Sequence, residues 1–380
     1  MTSLYLIAGE ASGDFIGSRL MEALPQETHM IGIGGPQMHA QGLQSLFPMQ
    51  ELSMMGFVEI LPHIFRLKRR IRETVADIMA RKPNAVVSID SPGFTFRVAK
   101  QLRAQGYRGK LIHYVAPTVW AYKPQRAEKT AGLFDALLCL LPFEPDYFTA
   151  HGLPTYFTGH PVAHFWATPG NGSRFRRAHG IAPDTPLLGL MPGSRAGELT
   201  QHLEIFLTTA DALKAFMPNL EVMIPTHAHL RERIEAAATA HLVKIHFSTD
   251  AKEKKDAFAA CSAALAKSGT VALETALAGL PTVTGYRAHP LSVWLVRRMV
   301  QIPYVNLINI MTHRDGQPPV IPELIQENCT PEKLASAILP YLQGTAIQDA
   351  APYITRLLPE SGKTPSEEAA ETILTILSGQ

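Results

Sequence analysis

Leu4-Tyr5-Leu6-Ile7-Ala8 runs directly into Gly9-Glu10-Ala11-Ser12-Gly13-Asp14, and an amphipathic stretch follows from Phe15 to Leu24. A short apolar run, a glycine-bearing segment and a helical period make one strand–loop–helix unit. The same unit recurs along the chain. Met30–Ile33, Ala85–Ile89, Leu111–Val115, Ala136–Leu141 and Thr155–Phe157 read as further strands, with helices such as Phe94–Gln105 and Gln125–Phe134 between them. Strands alternating with helices predict a parallel, doubly wound sheet. Trp166 to Arg174, WATPGNGSR, lacks periodicity and reads as an interdomain linker.

Beyond it the alternation restarts. Leu187–Leu190, Val222–Ile224, Lys244–Phe247, Ala263–Ala266 and Thr282–Thr284 are strand candidates, separated by helices at Leu203–Phe216, Leu230–Ala240, Asp256–Cys261 and Val271–Ala278. The expected fold class is therefore α/β, with two doubly wound, Rossmann-like domains facing a cleft. The expected domains are 1–165, 175–345, and a terminal helical piece at 346–380 that packs back on the first domain or on a partner subunit. In that piece Thr364, Pro365 and Glu367 spell a capped helix start.

Composition excludes several classes. The chain has 380 residues, 46% of them apolar and 18% charged, so it buries cores and is not a disordered tail. Lys plus Arg number 35 against 33 Asp plus Glu, a balance unlike that of a whole-surface nucleic-acid binder. Cys139, Cys261 and Cys329 are far apart, which suits a reducing compartment rather than a disulfide scaffold or a four-cysteine zinc site. No apolar run approaches the ~18 residues of a membrane span, and no basic n-region precedes Leu4, so a cytoplasmic location is expected.

In open α/β sheets, ligands bind off the carboxyl ends of the strands. Gly9–Asp14 is either a ligand loop or a tight turn, and Gly32–Pro36 divides the same way. Asp90 stands at a strand tip, where it either faces the cleft or caps the next helix. The aromatics of Tyr114–Tyr122 pack in the core or stack on a ligand, and His160 is structural or catalytic.

The second half is more pointed. In Met191–Glu198, Gly193 and Ser194 allow close approach while Arg195 can grip phosphate oxygens bidentately. In Lys267–Glu274, Ser268, Gly269 and Thr270 stand at a helix N-terminus suited to an anion, and Glu274 can accept two ribose hydroxyls. Two such loops and a carboxylate predict a nucleoside diphosphate. Neither DxD nor HExxH occurs, so no metal and no cofactor are expected.

One segment points elsewhere. Phe57, Leu61, Ile64 and Phe65 are apolar and adjoin a cluster that includes Arg69 and Arg70. Apolar residues beside dense positive charge suit an anionic bilayer surface; a solvated helix face is the plainer reading.

Together the motifs resemble one family. GEASGD at Gly9–Asp14, MGFVE at Met55–Glu59, IDSPGF at Ile89–Phe94, HYVAPTVWA at His113–Ala121, LLPFE at Leu140–Glu144 and GHP at Gly159–Pro161 occur in order. PGSRAGE at Pro192–Glu198, KSGTVALE at Lys267–Glu274, YVNLIN at Tyr304–Asn309 and PELIQ at Pro322–Gln326 follow. The chain resembles the lipid-A-disaccharide synthases, glycosyltransferases of the GT-B fold.

The resemblance implies UDP-2,3-diacylglucosamine as donor and 2,3-diacylglucosamine 1-phosphate as acceptor, with inversion at the sugar C1 and no metal. It also implies a Gram-negative source, attachment to the inner face of the inner membrane, and a homodimer; no nucleic acid is involved. On that chemistry Asp90 is the expected base, Glu10 a second candidate, and Arg195 with the Ser268–Thr270 amides the stabilisers of departing UDP. Ser12, Gly13 and Asp14 are expected to shape the acceptor site, and Asn306 and Asn309 to line the donor side.

One departure stands out. Family members commonly read IDxPDF, with a second Asp where this chain has Gly93. They also often carry a proline where it has Ile308. The alternatives are an isomerase like the UDP-N-acetylglucosamine 2-epimerases, or a non-catalytic UDP- or lipid-binding protein.

Overall fold

A computed structural model of the chain describes residues 2–53, 60–194, 196–250, 253–288 and 302–379. Phe57 and Arg195 lie outside these residues. The chain divides into two compact units, residues 2–161 with 356–379, and residues 162–355.

The first unit holds a six-stranded parallel sheet of order β2-β1-β3-β4-β5-β6. Its strands are β1 (Ser3–Ala8), β2 (His29–Ile33), β3 (Ala85–Ile89), β4 (Lys110–Tyr114), β5 (Ala136–Cys139) and β6 (Thr155–Phe157). Every residue of β3 is buried, as a central parallel strand covered by helices on both faces must be. The Pro92–Ala104 helix buries Phe94, Val98 and Leu102 against this sheet.

The second unit repeats the plan with order β12-β11-β10-β7-β8-β9. Its strands are β7 (Leu187–Met191), β8 (Glu221–Pro225), β9 (Lys244–Ser248), β10 (Ala263–Lys267), β11 (Thr282–Tyr286) and β12 (Glu323–Ile325). Strand β12 escapes the sequence pattern because three half-buried residues carry no period.

Three expectations change. The helix expected at Phe15 begins at Ala11, so Ser12, Gly13 and Asp14 form its first turn and not a loop. Likewise the helix expected from Leu203 begins at Ala196, inside the PGSRAGE motif. The stretch 166–174 is not a linker: Trp166 is buried and stacks on Phe258 at 4.8 Å, and Asn171 caps a Gly172–His179 helix. A Gly/Pro/Asn/Ser-rich run looks like a linker, but one buried indole anchors it in the second unit.

The capping box at Thr364 and Glu367 is present, and the Pro365–Ser378 helix packs on the Ala11–Ala23 helix of the first unit. The Ile60–Arg81 helix seats Ile71, Val75 and Ile78 in the core while Arg66, Lys68, Arg69 and Arg72 face solvent.

Candidate functional site

In the first unit the carboxyl ends of β1, β3 and β4 lie side by side, with Ala8 registered on Ile89 and Ile89 on Tyr114. This brings the Gly9–Asp14 and Ile89–Phe94 segments together. Asp90 has φ of +53° and Ser91 of +49°, consecutive left-handed residues that are not glycine. Val115, at the end of β4, has φ of +81°, an outlier for a β-branched residue. The Asp90 amide donates to Tyr114 O at 2.9 Å, and the Thr95 hydroxyl to Asp90 O at 3.0 Å, so the strained turn is clamped on both sides. Strain of this kind clusters at functional sites.

Ser91, not Asp90, is the N-cap of the following helix, and it makes no side-chain cap bond. Asp90 is half-buried, and burial pushes its carboxyl above the usual carboxylate range against an opposing hydrogen bond from the Ser91 amide. A raised carboxyl at a strand tip suits a proton acceptor. Glu10 stands half-buried at the N-cap of the Ala11–Ala23 helix.

Ser12 is exposed, while a Cβ on Gly13 would sit 3.3 Å from Ile89 O, so Gly13 sets the close approach of helix to β3. Asp14 does not face a substrate. It is buried, and its carboxylate accepts the amides of Gly35, Gln37 and Met38 at 2.8 to 3.0 Å. The Gly32–Pro36 segment is thereby a turn seated on Asp14.

The aromatic segment divides. Tyr114 and Val119 are core, whereas Trp120 and Tyr122 are half-buried at the rim. The Trp120 indole donates to the Glu144 carboxylate at 3.1 Å. Glu144 is fully enclosed and also accepts the Leu141 amide; burial pushes its carboxyl up to about 7. Its place in the LLPFE motif signalled the residue but gave it no role. Burial lowers His113 to about 3 and His160 to about 4, so both are neutral near pH 7, His113 fully buried and His160 half-buried.

The second unit carries a cavity of about 520 Å³ at the ends of β7, β8, β9 and β10. That size falls within the range of ligand sites. Gly193, Ser194, Gly269, Thr270 and Glu274 line it; Ser268, expected beside them, does not, and its hydroxyl donates to Val305 O. Gly193 has φ of +122° and Gly269 of +131°, backbone that essentially only glycine adopts.

Five wall residues, Glu198, Asp250, Lys254, Lys267 and Glu274, carry charge that the sequence reading assigned no role or only part of one. Lys267 pairs with Glu198 at 2.8 Å, and Lys254 with Glu274 at 2.5 Å. Glu274, expected to hold a ribose, is thus fixed in place by an ammonium. The buried hydroxyls of Thr226 and Ser248 have no hydrogen-bond partner among the described residues, although both line the cavity. Orphaned donors at a cavity wall mark a place for a polar ligand.

Asn306 and Asn309 do not line the cavity. Both are buried. Asn306 caps the Leu307–Arg314 helix and donates to Thr284 Oγ1 at 3.3 Å; Asn309 accepts the Val320 and Ile321 amides and donates to Glu323 at 2.8 Å. They hold the 304–309 segment, whose Val305 O accepts from Ser268 Oγ at 3.2 Å.

Arg70 is also spent within the fold. It meets Glu51 at 2.5 Å and Glu73 at 2.6 Å, and stacks on Phe47 at 4.4 Å. Phe65 is 77% exposed and the Arg69 side chain 57% exposed. The side chains of Leu61 and Ile64 lie outside the described residues. Among the described residues no three His, Cys, Asp or Glu side chains gather as metal ligands.

A family model described as Lipid-A-disaccharide synthetase matches residues 4–377. The chain belongs to the lipid-A-disaccharide synthase family. It is 48% identical over 383 residues to the lipid-A-disaccharide synthase of Rhodospirillum centenum, with 99% of this chain and 94% of that protein covered. It is 38% identical to that of Pseudomonas syringae, with 98% and 96% covered.

Solved structures agree on the fold. The S. aureus MnaA–UDP co-structure aligns with TM-score 0.66 at 12% identity, covering 100% of this chain and 97% of that one. The Acinetobacter baumannii MurG structure aligns with TM-score 0.55 at 11% identity, covering 100% of both chains. At such identities the likeness shows the GT-B fold alone. Family membership makes the chain a glycosyltransferase of lipid A biosynthesis and does not favour the epimerase alternative.

Proposed function

We propose that the cavity of the second unit takes the UDP end of UDP-2,3-diacylglucosamine, and that the β1–β3–β4 strand ends of the first unit take 2,3-diacylglucosamine 1-phosphate. The observation that carries the donor reading is the convergence on one cavity of two glycine turns, a helix N-terminus and the Glu274 carboxylate. In-line attack by the acceptor 6-hydroxyl forms the C1–O6 bond and breaks the bond from C1 to UDP, which inverts the anomeric centre. Asp90 takes the hydroxyl proton; Glu10 is the second candidate. The amides of Ser194 and Thr270, with Arg195, meet the charge on departing UDP. Glu274 hydrogen-bonds the ribose.

We place the enzyme on the anionic face of a bilayer through the Ile60–Arg81 helix, where Phe65 and the outward Arg66, Lys68, Arg69 and Arg72 support contact. No helix of the described residues is long and apolar enough to cross a membrane. The test is turnover of both lipids in detergent with EDTA present. A disaccharide 1-phosphate product supports the reading and shows that a site with Gly93 suffices. Intact UDP binding without product supports the binding-protein alternative.

A further inference from the structure

In the cavity of the second unit, the Glu198 carboxylate lies where two cationic or N–H donors converge. One oxygen accepts the Ser194 amide at 3.0 Å and the other the Lys267 ammonium at 2.8 Å. Ser194 follows β7 and Lys267 ends β10, two strands paired side by side, so the donors face one point from adjacent strand ends. The backbone is shaped around that carboxylate. A Cβ on Gly193 would stand 2.5 Å from Glu198 Cβ and 2.6 Å from its Oε2. A Cβ on Gly269 would stand 3.4 Å from Lys267 Nζ, so the ammonium extends along the other glycine turn. An amide of a glycine turn plus an ammonium, each on its own oxygen of one anion, is the arrangement that binds a phosphate.

We propose that Glu198 is an internal place-holder for the donor's phosphate. It keeps Lys267 and the Gly193–Ser194 turn in their binding geometry, and it yields both to the diphosphate when the donor enters. This rests on the donor reading of the cavity above. The charge inventory supports it. The described wall carries Glu198, Asp250 and Glu274 against Lys254 and Lys267, and each lysine is already held by a carboxylate. A diphosphate therefore gains a lysine only by displacing a carboxylate. Glu198 then tunes affinity downward and speeds the release of UDP, while Lys267 supplies cationic charge to the leaving group.

The test titrates the full-length protein with UDP and, separately, with uridine, by calorimetry. Glu198→Gln keeps the shape and removes the competing charge, so UDP binds about tenfold tighter while uridine is unchanged. Lys267→Met keeps the stem and removes the cation, so UDP binds about tenfold weaker, again with uridine unchanged. In the double variant the gain from Glu198→Gln shrinks, because the charge it competed for is gone. A structural latch gives a different pattern: Glu198→Gln weakens UDP and uridine together, and that result overturns the proposal. So does unchanged UDP affinity in a variant with wild-type thermal unfolding. If the wild-type protein binds neither UDP nor uridine, the donor reading itself fails, and the place-holder with it.

Discussion

The two units end their central strands in opposite ways. In the second, the positive-φ residues of the cavity wall are glycines, Gly193 and Gly269. In the first, the corresponding strand ends carry Asp90, Ser91 and Val115 at φ of +53°, +49° and +81°. Glycine adopts such backbone without strain, and its missing Cβ lets a ligand reach the amides. A side chain held there costs about 1 to 3 kcal/mol per residue. The difference fits the proposed roles: backbone is what the second unit's glycine turns offer a ligand, while the β3 end offers a side chain, the Asp90 carboxylate, at the cost of strain.

The largest effect that would break this contrast is at Asp90. Asp90→Asn is expected to lower turnover at least about 100-fold, as loss of a general base does, with UDP affinity unchanged in a titration. Full turnover would remove Asp90 from the mechanism. Next is the polar hold behind the acceptor loop. Asp14→Ala strands three backbone amides and is expected to lower unfolding stability by about 3 kcal/mol, read by denaturant melts.

Gly193→Ala places a Cβ against Glu198 and is expected to weaken UDP binding about tenfold. Glu144 sharpens the comparison through pH. Its folded carboxyl is raised to about 7 from an ordinary 4.5, so the native state holds the extra proton. Its stabilising contribution is complete below about 4.5 and lost as pH rises toward about 7. Glu144→Gln is expected to flatten the stability–pH curve in that window, measured by thermal unfolding. Smallest is Ser91→Gly, expected to add about 1 kcal/mol of stability by relieving one left-handed residue. A loss of stability there would show that the turn is held by the serine side chain and is not strained.

Much of the fold was legible in the chain. Nine of the eleven strands read from the pattern fall within a residue of their observed ends; Ala136–Leu141 stops at Cys139, and Thr282–Thr284 runs on to Tyr286. Strongly apolar segments of parallel sheets leave little ambiguity. The glycine turns that line the second unit's cavity were legible too, because glycine at a strand–helix junction marks backbone that other residues resist. Where the pattern misled, a contact at a distance overrode it. Asp14 and Asn309 look like ligand groups, and each is consumed by backbone amides from elsewhere in its unit; Asn306 caps its own helix and donates to Thr284, 22 residues away. Arg70 looks like a lipid contact until Glu51, 19 residues earlier, closes on it.

The sequence by itself determined that this is a two-sheet α/β glycosyltransferase of its family and where its glycine turns fall, because period, glycine placement and motif order are local properties. Tertiary structure alone decided which polar side chains line the cavity and which are spent inside. It set the strain at Asp90, the raised carboxyl of Glu144, and the pairing of Lys267 with Glu198, 69 residues away. Burial and partnership depend on residues distant in the chain, and no local pattern encodes them.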